Sequence, residues 1–188
     1  MKKLIVIMGK TASSKDTICR YIKENYGISM LVSNTTRPIR DTEVNGREHW
    51  FLSDEEFDNL DTSKMFAYTK FPKTNYRYCA TVENMLEDTM TYILNPKGMT
   101  YLDKKKDELN IEYYSIFCHI EEETLIERAR FRGDKEELIS KRIDSERDEF
   151  DTFYENKLYD YCIDTNNTLD YIYREVDRIM LENGYSKQ

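Results

Sequence analysis

Short apolar runs recur along the chain at positions 4–8, 29–32, 91–94, 113–118 and 161–163, and stretches of helical period separate several of them. The runs lack the polar alternation of a strand with one wet face, the pattern of parallel strands covered by helices on both sides. This predicts an α/β fold. The first helix is expected to begin at Lys15 or Asp16, to turn Ile18, Tyr21 and Ile22 inward, and to stop at Gly27, which suits a left-handed cap. The last helix is expected over 169–183 and to end in the same way at Gly184, with a frayed tail beyond it.

Residues 33–90 break this rhythm with polar turns, Pro38, Gly46, Pro72 and short β-like pieces such as 49–52, so they read as an inserted subdomain. Between 123 and 153 the chain is highly charged, and Gly133-Asp134 divides it into two helices. The second of these has only a thin apolar stripe through Ile139, Ile143 and Phe150, which predicts a helix free to move.

At 188 residues, with 39% hydrophobic and 34% charged, the chain fits one domain with a core and a heavily charged surface. The net charge of −8 argues against a protein that coats nucleic acid or a membrane surface, so any anion site has to be a local concentration of cations. The aliphatic run at 4–8 is far short of the ~20 residues of a membrane span and lacks a signal-peptide core, which makes the cytoplasm the expected location. Cys19, Cys79, Cys118 and Cys162 form no C-x-x-C pair and are expected to be free thiols, mostly packed, with neither a zinc site nor a disulfide framework.

Candidate chemistry begins where the first apolar run ends, at Gly9-Lys10-Thr11-Ala12-Ser13-Ser14-Lys15-Asp16-Thr17. A turn from strand to helix aims backbone N–H groups and the positive end of the helix dipole at one point, and Lys15 adds a full charge there. The pattern is close to G-x-x-x-x-G-K-[ST], but Ser14 stands where the second glycine belongs and Asp16 where the metal-holding hydroxyl belongs. On these residues alone, a phosphate loop and a plain turn with an exposed lysine both remain open. Asp16 is either a Mg²⁺ ligand or a residue favoured at a helix N-terminus, and Thr17 is an alternative hydroxyl.

A second constellation is Val32-Ser33-Asn34-Thr35-Thr36-Arg37-Pro38-Ile39-Arg40, followed by Glu43-Val44-Asn45-Gly46-Arg47-Glu48-His49-Trp50-Phe51 and Ser53-Asp54-Glu55-Glu56-Phe57. Together with the opening loop it resembles the guanylate kinase family, and the resemblance resumes at 128–133, 139–143 and 164–170. It implies a three-layer nucleoside monophosphate kinase fold with a phosphate loop and a parallel core sheet. The core would be 1–32, 91–127 and 150–188, the monophosphate-binding insert 33–90, and a short helical lid 128–149. The implied reaction is ATP-dependent phosphorylation of GMP or dGMP with Mg²⁺, with no partner beyond small-molecule nucleotides and a monomer or homodimer as the working form. By resemblance, Lys15 holds the β and γ phosphates, and Gly9, Lys10, Thr11, Ala12, Ser13, Ser14, Asp16, Thr17 and Asn166 complete the ATP site, with Asp16 at the metal. Ser33, Arg37, Arg40, His49, Tyr78 and Thr81 would bind the acceptor, and Arg128, Arg132 and Arg142 would come from the lid. The catalytic group is then Lys15, Arg37, Arg128, Arg132 and Arg142. Arginine forks suit two phosphate groups that repel each other. Apart from the resemblance, Arg37 and Arg40 read as solvated charges in a polar turn. The lid arginines, among Glu127, Glu136, Glu137, Asp144 and Glu146, read as helical charge pairs.

The chain departs from the family pattern where it matters for the acceptor. Ala67 falls where the family has a guanine-binding carboxylate, His49 where it has a tyrosine, and 93–98 offer no acidic residue. These departures motivate a second reading, a kinase of another or relaxed base preference. Ser14 and Asp16 motivate a third, a non-catalytic interaction module. His119 and Trp50 read as packing residues without a chemical role.

Overall fold

The computed structural model describes residues 1–71 and 74–188; Pro72, read above as one of the breaks in the insert, lies outside the described residues. The chain divides into two compact units.

One unit takes Ile5–Met30, Thr91–Pro96 and Tyr113–Gln188. Its strands belong to a four-stranded parallel sheet in which β1 (Lys2–Met8) lies between β6 (Thr89–Ile93) and β7 (Ile111–His119), with β8 (Tyr161–Asp164) beyond β7. Leu4, Ile5, Val6, Ile7 and Met8 are all fully buried, as the uninterrupted apolar run requires of a strand covered on both faces. The run at 29–32 does not become a strand. Only Met30 pairs, in a single parallel bridge to Thr91, because the left-handed turn at Gly27 and the departure into the other unit leave room for one rung.

Helix α1 (Lys15–Tyr26) buries Ile18, Cys19, Ile22 and Tyr26 and ends at Gly27, φ 70°, whose N–H reaches the Lys23 carbonyl at 3.0 Å. Tyr21 is only partly buried: its ring stacks on Tyr173 at 4.1 Å and its hydroxyl donates to Asp177 at 3.0 Å. Helix α6 (Leu169–Glu182) starts at the Thr168 cap and buries Ile172, Val176, Ile179 and Met180 against the same core. The residues after Gly184 are pinned, against expectation. Lys187 Nζ lies 2.7 Å from Asp177 and 2.9 Å from the Tyr21 hydroxyl, and the Gln188 N–H donates to the Asn25 carbonyl at 2.9 Å. A carboxylate that gathers two tyrosines and a lysine holds the tail where apolar periodicity gives no sign of it.

Between β7 and β8 run α4 (Glu122–Phe131) and α5 (Glu136–Glu155), separated at Gly133, φ 90°. Leu125 and Ala129 pack on Ile139, Ile143 and Ile120 in a cluster of their own, while Phe150 and Phe153 lie against Phe117.

The other unit takes Met1–Leu4, Leu31–Met90 and Lys97–Glu112. Its sheet has the order β3 (Trp50–Phe51), β2 (Asn34–Thr35), β5 (Arg77–Thr81), β4 (Met65–Lys70); β2 pairs parallel to β3 and antiparallel to β5. The pairing of β4 with β5 is antiparallel, with an irregularity between Met65 and Ala67 that sets Ala67 opposite Ala80. Phe57 from α2 (Asp54–Asp58), Met65 and Cys79 form a small core joined by Tyr101 from α3 (Pro96–Lys105). Trp50 lies over Gly46, where a Cβ would stand 2.8 Å from the indole, but the residue is 42% exposed, so it packs on one side only.

All four cysteines are free and Cys162 alone among them is not fully buried. Among the described residues no helix is long and apolar enough to cross a membrane.

Candidate active site

The loop from Gly9 to Ser14 owes its shape to a close approach. A Cβ on Gly9, φ 146°, would lie 2.6 Å from both the Cys118 carbonyl oxygen and Ser13 Oγ, so only glycine lets the chain leave β1 beside β7. Ala12 and Ser14 then adopt left-handed conformations, φ 57° and 64°, and Ser14 leads into α1 without capping it by its side chain. The serine therefore takes up the backbone shape a glycine would take, at a cost of about 1–2 kcal/mol, and it carries a hydroxyl that accepts from Arg128 Nη1 at 3.2 Å.

Inside the loop, Lys15 Nζ donates to the Lys10 carbonyl at 2.6 Å and lies 3.5 Å from Ser13 Oγ, while Ser13 Oγ donates to the same carbonyl at 2.7 Å. Burial pulls the Lys15 ammonium below its ordinary value, opposed by Cys118, Glu146 and Asp16. Asp16 stands exposed in the first turn of α1, and Thr17 beside it is partly buried.

The α4–α5 arginines surround this loop. Arg128 spans Ser14 Oγ and the Thr165 carbonyl, the latter at 2.6 Å, and its burial lowers the guanidinium pKa. Arg142 Nη1 lies 3.5 Å from Thr11 Oγ1 and 3.3 Å from Asp134. Arg132 is paired with Asp134, whose carboxyl it holds below the usual range. Arg128 and Arg142 therefore meet the loop directly, whereas Arg132 is paired with Asp134 and feels the charge of Asp16. Asn166 accepts the Glu121 N–H at 3.0 Å and donates to Asp164 at 2.6 Å, which ties the end of β8 to the start of α4.

In the other unit, Arg37 is the centre. Its guanidinium grips Glu43 in a two-point fork at 2.8 and 3.0 Å, donates from Nε to the Tyr78 hydroxyl at 3.1 Å, and lies over the Phe51 ring. The fork pulls the Glu43 carboxyl down to about 2. Arg40 contributes its N–H to Glu43 at 2.9 Å while the residue itself is exposed. His49 Nδ1 lies 3.0 Å from Ser33 Oγ, and its ring meets Tyr78 edge-on at 5.5 Å. Ser33, Arg37, His49 and Tyr78 are thus brought together. Thr81 sits apart from them, on Asn84, through its N–H at 2.8 Å and its hydroxyl at 3.1 Å. The same Asn84 oxygen accepts from Asn34 at 3.0 Å, and Ala67 is buried in β4 with no carboxylate of its own.

Burial and the Arg37 charge lower the His49 pKa, so the ring is favoured in its neutral form. A group whose folded pKa is depressed contributes stability that is complete above the unfolded value and lost as pH falls through the folded one. Proton titration by NMR is accordingly expected to put the His49 midpoint below 6.5, and a midpoint above it would mean that an acid has replaced Arg37 as the controlling neighbour.

Carboxylates are what a search for cations misses. Glu43, Asp134 and Glu146 partner the arginines and the loop, and Asp151 pairs with Lys10 at 2.5 Å. Glu43 was visible in the sequence only as part of a motif. Glu146 and Asp151 lie among the charges of a helical surface, and Asp134 in the break between two helices.

A sequence profile of the guanylate kinase family matches residues 1–183. The chain belongs to that family. It is 31% identical over 181 residues to the guanylate kinase of Blochmanniella floridana, covering 89% of this chain and 82% of that one. With the guanylate kinase of Fusobacterium nucleatum it shares 27% identity over 188 residues, 96% of each chain. The crystal structure of guanylate kinase from Anaplasma phagocytophilum superposes with a TM-score of 0.61 at 18% identity, covering 97% of this chain and 86% of that one, a likeness of fold. The α/β class with its parallel core sheet thus agrees with that of a guanylate kinase.

Proposed function

We propose that this guanylate kinase family member transfers the γ-phosphoryl group of ATP to GMP or dGMP, giving ADP and the nucleoside diphosphate. The observation that carries the reading is the phosphate loop, in which two left-handed residues and a folded-back Lys15 prepare backbone N–H groups and a cation at the start of α1. The loop and Lys15 would bind the β and γ phosphates, with Arg128 and Arg142 placed at Ser14 and Thr11 to neutralise charge as it develops on the transferring group. Arg37, Arg40, His49 and Tyr78 would grip the acceptor phosphate, and Ser33 orients His49 through its hydroxyl. Glu43 holds the Arg37 fork in its plane before any phosphate arrives. Thr81, with the Asn34–Asn84 pair, is assigned to the base.

The exposed Asp16 carboxylate fits Mg²⁺, which takes one or two carboxylates together with substrate phosphates and keeps several waters. Bound there with ATP, the ion would offset phosphate charge. Among the described residues there is no group of three acidic, histidine or cysteine side chains that could hold a metal without the nucleotide. Residues 128–149 are proposed as the lid that excludes water from the transferring group. The free thiols suit the cytoplasm as the place of action.

The test is ADP release measured across GMP, dGMP, AMP, dAMP, CMP and UMP at millimolar ATP and Mg²⁺. GMP and dGMP are expected to give the highest kcat/KM. A stronger non-guanine acceptor would assign Ala67 to a different base, and failure to bind ATP in calorimetry would make the chain an interaction module.

A further inference from the structure

Glu146 follows Arg142 by one turn of α5, yet its carboxylate enters the phosphate loop instead of pairing along the helix surface. Oε2 accepts the Thr11 N–H at 2.7 Å. An anionic oxygen taking a backbone N–H of a loop that opens a helix makes the contact that a phosphate oxygen makes in such a loop. Two further ties run from α5 to the same loop: Arg142 Nη1 to Thr11 Oγ1 at 3.5 Å, and Asp151 to Lys10 Nζ at 2.5 Å. The charges facing Glu146 are Lys15 and Lys10 from the loop and Arg142 from its own helix. Burial disfavours the carboxylate, while the Thr11 N–H and the three cations favour it, so its place in the loop is held by this ring of partners.

We propose that Glu146 is a displaceable stand-in for a nucleotide phosphate: it occupies the Thr11 N–H and holds α5 on the loop until ATP takes that N–H from it. The proposal rests on the reading of this loop as the ATP site. Its consequence is that ATP binding and loss of the Glu146 contact are one competition, after which Arg142 turns from Thr11 to the bound phosphates. The affinity for ATP is then set partly by a residue that touches no nucleotide in the bound state, a positioning residue for the loop and α5.

The experiment is calorimetry on the full chain with two probes, ATP with Mg²⁺ and inorganic tripolyphosphate, comparing the parent with Glu146→Gln and Glu146→Ala. Loss of the competing charge is expected to lower the Kd of both probes by about five-fold or more. In steady-state kinetics KM for ATP should fall while KM for GMP stays in place. Amide exchange over 136–155 in the ligand-free protein should accelerate. A part that Glu146 plays only in folding would shift the melting temperature and leave the two Kd values alone. Glu146→Asp, which keeps the charge but draws it back from the Thr11 N–H, is expected to lower both Kd values in the same direction and serves should the other two melt below the assay temperature. Unchanged or weaker binding of both probes in a folded variant overturns the proposal and leaves the kinase reading standing. No binding of either probe by any form, the parent included, overturns both.

Discussion

Lys15→Ala is expected to lower kcat by about 10²–10³-fold, the range seen when a preorganised donor to developing charge is removed. Lys15 is held before any nucleotide arrives, with Nζ at 2.6 Å from the Lys10 carbonyl and burial already pulling on its proton. A cation that has lost most of its water interacts strongly with a phosphate oxygen because little solvent remains to reorganise. Alanine removes the Nζ tie to the Lys10 carbonyl, but Ser13 Oγ still donates to that carbonyl and the flanking strand and helix keep their own buried side chains. Far-UV circular dichroism should therefore be unchanged. The ADP-release assay measures the loss, and an active variant would take this loop out of catalysis.

Gly9→Ala should act on stability as well as activity. The added Cβ would stand 2.6 Å from the Cys118 carbonyl oxygen, a backbone atom with no rotamer to escape into, at a φ of 146° that side chains rarely adopt. Overpacking and strain together put the cost at about 3 kcal/mol. In a chain of 188 residues that lowers Tm by about 10 °C. Thermal unfolding with and without ATP checks it, and a Tm within ~2 °C of the parent would mean that β1 and β7 separate at this point more easily than their buried side chains suggest.

The sheet was legible in the sequence where apolar runs were long enough to be covered on both faces, as at 4–8 and 113–118. It was misread at 29–32, since burial of Ile28 and Leu31 depends only on side chains, whereas a strand needs a neighbour at every second rung. Helix ends at Gly27 and Gly184 were legible because left-handed backbone favours one residue type. The cations of the candidate site were legible through motifs; of their acidic partners only Glu43 was. Nothing in the spacing of Glu146 or Asp151 separates a carboxylate turned into a loop from one turned to water, because that depends on where α5 lies. The tail was misread for the same reason, since Asp177 collects Tyr21, Tyr26 and Lys187 from distant parts of the chain.

The attachment of α5 to the phosphate loop through Glu146, Arg142 and the Lys10–Asp151 pair gives dissolved salt two opposite effects within one unit. Of these ties only the Lys10–Asp151 pair has a half-exposed carboxylate, and moderate ionic strength weakens it only slightly, because charges closer than the screening length of about 8–10 Å are screened little. Sulfate at high concentration strengthens the burial of Ile5, Ile7 and Ile116 in the sheet. Buffer ions thus reach only the outer edge of this attachment, while the β-layer beneath it stays firm.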